Sequence, residues 1–131
     1  VVLGDYKVDV DVRKSTRRSD TRNNKTTGIL LPVVYITNQT GSVMELKLTA
    51  SVFKAAASDG TELKFDSALQ PLTLVQKVPA SVTPSFSTTD EGVFQKLSSG
   101  ELSLKLSITL SGQTAVYTMN FGNLTQTVEK I

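Results

Sequence analysis

The sequence predicts an all-β fold, an antiparallel β-sandwich of immunoglobulin-like type with seven to eight strands and at most one short helical turn. Three observations carry that expectation. Apolar and polar residues alternate with period two in several stretches, most clearly in Glu101–Phe121. Clusters of Gly, Asn, Asp, Ser and Pro divide these stretches at fairly even spacing. Nowhere does a long run carry apolar residues at helical spacing, and no internal repeat is present. A small barrel is the alternative closure of the same strands.

Taken in order, Tyr6, Val8, Val10 and Val12 alternate with Lys7, Asp9, Asp11 and Arg13, which makes a first strand with one wet face. Ser15 to Thr27 has no residue suited to a core, so 15–27 is expected as a long, basic, flexible loop. Ile29–Thr37 is apolar on both faces, the pattern of a central strand. Pro32 lacks an N–H for the ladder, so that strand starts at Val33 or carries a bulge at Pro32. After the turn at Asn38–Gly41, alternation from Val43 to Phe53 suggests a strand of about ten residues. Ala55–Gly60 is expected as a loop with Asp59-Gly60 as its turn signal.

Leu63 and Phe65 flank Lys64 in a short strand, and Leu69–Val78 suggests another, with Leu72 and Leu74 inward and Pro71 as a break. Val82 and Phe86 anchor an extended edge segment in the Pro-, Ser- and Thr-rich run 79–90. Val93, Phe94 and Leu97, between Gly92 and Gly100, suit one helical turn tucked under the sheets. Leu102, Leu104, Leu106, Ile108 and Leu110 then share one strand face, opposed by Ser103, Lys105, Ser107 and Thr109. Past the turn Ser111-Gly112-Gln113, the positions Ala115, Tyr117, Met119 and Phe121 continue the dry face, and Tyr117 is expected in the core with its hydroxyl at the rim. Residues 122–131 read as a polar C-terminal tail.

At 131 residues the chain makes one domain, 1–131, able to bury about two-thirds of the surface its unfolded form exposes. With no Cys and no His, thiol nucleophiles, Ser–His pairs, histidine bases and Cys/His zinc sites are excluded. No apolar run approaches the roughly 18 residues of a membrane helix, and the N-terminus shows no cationic stretch followed by an apolar one. The paired acids Asp9 and Asp11 sit on a solvated face between Lys7 and Arg13, which is edge decoration rather than a hydrolytic pair. No spacing of acids resembles a calcium loop, and neither metal nor cofactor is expected. Three Asn-x-Thr triplets begin at Asn24, Asn38 and Asn123, as acceptors for glycosylation only in a secreted eukaryotic protein.

The distinctive feature is charge. The net charge of +2 conceals six cations, Arg13, Lys14, Arg17, Arg18, Arg22 and Lys25, which face one acid, Asp20, in the same segment. That segment carries +5, and the remaining eight bases and eleven acids give −3. Such a patch is an electrostatic footprint for phosphate, a lipid headgroup or an acidic wall polymer, or else a solvated loop that aids solubility. It contains no aromatic residue for stacking on bases, which counts against nucleic acid.

Val33-Val34-Tyr35-Ile36-Thr37-Asn38-Gln39-Thr40, an alternating strand, and Ser58-Asp59-Gly60-Thr61-Glu62-Leu63-Lys64-Phe65 together resemble the immunoglobulin-like modules of bacterial extracytoplasmic lipoproteins and cell-surface proteins. The shared elements are a strand ending V-x-V-x-N-x-[ST], a strand ending [FL]-x-[LV]-x-D, and a D-G-x-[EKR] turn. The likeness covers residues 29–66, and here Phe53-Lys54 is followed by Ala55-Ala56-Ala57 instead of the acidic turn. The resemblance implies a place outside the cytoplasm and a binding or scaffolding role, and it transfers no catalytic residue. The expectation is a non-enzymatic adhesion, scaffold or accessory module that meets a protein partner or assembles with itself. A phage or virus structural subunit is the alternative, and binding of nucleic acid or another anionic polymer through the basic segment is the further one.

Overall fold

The computed structural model describes all 131 residues and is all-β, with twelve strands and one helix. The strands of the first half are β1 (Val2–Leu3), β2 (Tyr6–Arg22), β3 (Lys25–Asn38), β4 (Met44–Leu46), β5 (Phe53–Ala57) and β6 (Glu62–Phe65). Those of the second are β7 (Leu72–Leu74), β8 (Ala80–Val82), β9 (Phe86–Thr88), β10 (Leu104–Leu110), β11 (Gln113–Asn120) and β12 (Thr125–Lys130), with helix α1 (Glu91–Ser99) between β9 and β10. Seven to eight strands were too few, because several segments are broken into strands of two or three residues.

The β10–β11 hairpin adopts the register its alternation requires. Leu104 faces Met119, Leu106 faces Tyr117 and Ile108 faces Ala115 across the ladder, and all six are buried. The connection is the two-residue turn Ser111-Gly112 with positive φ at both (53° and 71°), which matches the twist of the paired strands. On its other side β10 pairs with β5, Leu106 opposite Ala55 and Ile108 opposite Phe53. Ala55–Ala57, expected as loop, is therefore strand, and Ala55 and Ala57 are buried. The strand expected over Val43–Phe53 is correspondingly short. β4 ends at Leu46, and a turn closed by Val52 N donating to Thr49 O (3.0 Å) redirects the chain into β5. Likewise only Leu72–Leu74 of 69–78 is strand, paired with β4 as a small second sheet.

One antiparallel sheet runs β1-β2-β3-β9-β6-β5-β10-β11-β12, with β8 also on β3, and it curls into the two layers of a sandwich-like fold. β6 makes the corner. Its start pairs with β5 (Leu63 with Ala55) and its end with β9 (Phe65 with Phe86). Phe65 there stacks on Phe53 (6.4 Å between centroids) and meets Phe86 edge-on (5.7 Å). At the opposite margin side chains, not a ladder, join β2 to β11 and β12. Tyr117 Oη donates to Val8 O (2.8 Å), Val12 N donates to Gln126 Oε1 (2.9 Å), and Gln126 Nε2 donates to Val10 O (2.5 Å). The fold thus closes almost like a barrel, around one core of 28 buried apolar residues.

The helix is longer than the single turn expected, at nine residues. Asp90 caps it by accepting from Val93 N (3.1 Å), and Gly100 ends it in the left-handed region (φ 87°). Val93, Phe94 and Leu97 are its buried face. Only Gly allows the approach to β3, since a Cβ on Gly28 would enter the Phe94 ring.

Candidate functional site

The basic segment is not a loop. Residues 15–27 continue β2 and β3 as a two-stranded ribbon, with Thr16 opposite Leu31, Arg18 opposite Ile29, Asp20 opposite Thr27 and Arg22 opposite Lys25. A strand that leaves the core is wet on both faces, so it loses the alternation that marks a strand in a sequence. The usable signal was Asn23-Asn24, because both residues adopt positive φ (51° and 61°) and Asn tolerates that region. The C-terminal segment, expected as a polar tail, is likewise strand. Its Thr125–Lys130 is β12, hydrogen-bonded to β11 yet exposed at every residue.

A bulge at the ribbon's root sets which way the cations point. Asp11 pairs with Val33 and Thr16 with Leu31, so Val12–Ser15 bow out opposite Pro32 alone. The bulge expected at Pro32 is present, with the additional residues on β2. Pro32 has no N–H to give, and the Ser15 hydroxyl bridges the gap by donating to Asp11 O (2.7 Å) and accepting from Val33 N (3.0 Å). The interruption also reverses the phase of β2. Val10 faces the interior opposite Val34, whereas beyond the bulge odd-numbered Arg17 stands opposite buried Leu30.

The six cations are therefore distributed, not pooled. Arg18, Arg22 and Lys25 share the outer face of the ribbon with Asp20, as residues two apart or directly opposite do. Arg17 alone lies on the inner face, its guanidinium 5.8 Å from the centroid of Phe121. Lys14, in the bulge, donates to the Tyr35 hydroxyl (3.2 Å) and lies 5.6 Å from that ring's centroid; the bond holds its ammonium pKa above the usual lysine value. Arg13 stands at the margin beside Asp11, whose carboxylate accepts from Arg13 N (3.0 Å). A single ion pair exists, Arg18 to Asp20 at 3.9 Å, with 62% and 43% of the two side chains exposed, a geometry that neutralises little. Five of the six cations have no carboxylate within 4.0 Å.

Beyond Gly28, where pairing of β3 with β9 ends, the ribbon has no neighbour on either side. In an antiparallel ladder the groups not bonded to the partner strand point outward. Main-chain groups of Ser19 and Thr21 on one edge and Thr26 on the other are thus free. Thr21 and Thr26 link the strands through their hydroxyls (3.0 Å).

Two grooves lie on the surface. One of about 430 Å³ lies along the margin between β2 and Leu124, with Asp9, Asp11, Arg13, Tyr35 and Gln126 around it. The other, about 700 Å³, crosses the outer face of β6, β5, β10, β11 and β12. Ala56, Ser107 and Val116 floor it, and Lys54, Lys105, Glu62 and Glu129 edge it. No group of three or more acids converges in either. No helix of the structure is long and apolar enough to cross a membrane. Of the Asn-x-Thr triplets, Asn38 is fully buried, donates to Ser42 O and Leu74 O, and accepts from Thr40, so its amide is structural. Searched against family models, curated proteins and solved structures, the chain matches none.

Proposed function

We propose that this protein is a non-enzymatic binding or scaffold module, of an extracytoplasmic surface protein or a larger assembly, that holds its partner on the basic ribbon. One observation carries the reading. The ribbon projects past the sheet that would otherwise cover it, and it bears four cations, Arg17, Arg18, Arg22 and Lys25, against one acid, Asp20, with Arg13 and Lys14 at its root. Retention of the chain on a heparin column, a general polyanion, tests it. The Arg18→Glu/Arg22→Glu/Lys25→Glu variant is expected to elute at markedly lower salt than the parent, and equal elution would remove the ribbon as the contact element.

A second reading, a phage or virus structural subunit, is favoured by the unpaired outer edge of β12 beside exposed Val128 (48%) and Ile131 (77%). Light scattering separates the two. A defined ring or higher assembly supports the subunit, and a monomer across concentration opposes it.

A further inference from the structure

We infer that the ribbon's partner is duplex nucleic acid, entered at a groove by the tip Asp20–Thr27. The inference rests on the ribbon being the contact element, as proposed above, and is independent of compartment. Its first support is shape. Two paired strands about 4.8 Å apart form an object that the major groove of B-DNA, about 12 Å wide and 8.5 Å deep, admits. The free part of each strand is three to four residues, or about 10–13 Å at 3.3 Å per residue, which is enough to reach the floor of that groove.

Composition is the second support. Ser15–Thr27 holds no aliphatic and no aromatic side chain. A protein interface draws most of its affinity from a few buried anchors of that kind, and this element offers only arginine toward one. Nucleic-acid interfaces are the polar, strongly cationic ones. The missing aromatics argue against single strands, which are held by stacking, and not against a duplex read in its groove. At the tip stand Arg22, Asn23, Asn24 and Lys25, the side-chain types that reach base edges and phosphates.

The third support is the placement of charge. Arg22 and Lys25 flank the turn at the free tip, with Arg18 further back on the same face, while Arg17 lies below the tip over the Phe121 ring. Asp20 sits among the outer three and is engaged by Arg18, which leaves Arg22 and Lys25 free of carboxylates.

Fluorescence anisotropy with a labelled DNA duplex of about 20 base pairs, and with one of its strands alone, is the test. With three cations at phosphates and about 0.9 ions released per contact, the log–log salt slope is expected to be about −2.7, so binding weakens about 40-fold between 50 and 200 mM salt. The tip variant Arg22→Ala/Lys25→Ala, far from the core, should bring the slope toward about −1, and Arg22→Lys should restore most of the loss for that position. Lys54→Ala/Lys105→Ala, off the ribbon, should bind as the parent does. Circular dichroism establishes that each variant is folded. Failure to bind duplex at 50 mM salt, or unchanged binding by the tip variant, overturns the inference. So does a single strand, an acidic peptide or an anionic vesicle held more tightly than the duplex. Loss of heparin retention in the triple variant with no binding of duplex would leave the ribbon as a contact element and exclude this partner.

Discussion

Replacing Tyr117 with Phe probes the margin where the curled sheet closes without a ladder. Tyr117 is buried, and its hydroxyl donates to Val8 O (2.8 Å) across the gap between β11 and β2. Burial first, and the charge of Asp9 second, push its pKa up to about 12 from the usual 10. At pH 7 the substitution removes one hydrogen bond, worth about 1 kcal/mol. Val8 O is not orphaned, because it still accepts from the N-terminal ammonium (2.9 Å). Alkaline pH changes the comparison. The unfolded chain releases its phenol proton near pH 10 and the folded chain near 12, so between those values the unfolded state binds fewer protons. Stability from this group is complete below pH 10 and is lost as pH rises toward 12. At pH 11 the loss is about 1.4 kcal/mol, and above pH 12 it approaches about 2.7 kcal/mol. The variant has no such group, and titration of the other residues is common to both proteins. Urea unfolding at pH 7 and pH 11 should therefore show the parent about 1 kcal/mol more stable at the first pH and level with the variant at the second. A gap of the same size at both would show that the hydroxyl is not held protonated in the closed margin, and the account of that margin would fail.

Two further substitutions test the core. Leu104→Ala and Leu106→Ala, both fully buried, should each cost about 2–5 kcal/mol in urea unfolding, while Ser107→Ala on the opposite face should be nearly neutral; equal losses would overturn the hairpin register. Gly28→Ala should cost about 1–3 kcal/mol through its clash with Phe94, and Phe94→Leu in the same chain should recover part of it, measured by thermal melting.

How much was legible followed from how much of each strand is half-buried. Leu104–Leu110 with Gln113–Asn120, the start of β2 and the pair Leu63/Phe65 lie with one face in the core, so hydrophobic alternation marked them. The same holds for Tyr117, whose place in the core was readable, whereas its hydroxyl, expected at the rim, is buried against Val8 O. Where the environment departs from one wet and one dry face, the rule loses its hold. The ribbon at Thr16–Thr27 and β12 are wet on both faces and looked like loop and tail. Val43–Phe53 alternates, yet the chain leaves β4 at Leu46 and turns at Thr49–Val52, with Leu48 and Val52 buried and Val52 O accepting from Thr109 N of β10 (2.9 Å).

By itself the sequence determined the all-β class, the core-forming hairpin, an interruption at Pro32 as either a strand start or a bulge, and the concentration of positive charge between Arg13 and Lys25. These depend on covalent properties and on neighbours two residues apart: a side chain's polarity, a proline's missing N–H, an ionised group. Only the tertiary structure decided that the charged segment is a paired ribbon, that the Val12–Ser15 bulge turns Arg17 inward and Arg18, Arg22 and Lys25 outward, and that Gln126 closes the margin on Val10 and Val12. Those outcomes depend on pairing between residues remote in the chain. The register carried out from the valines of β2 and β3 orders thirteen polar residues whose own composition asks for no structure.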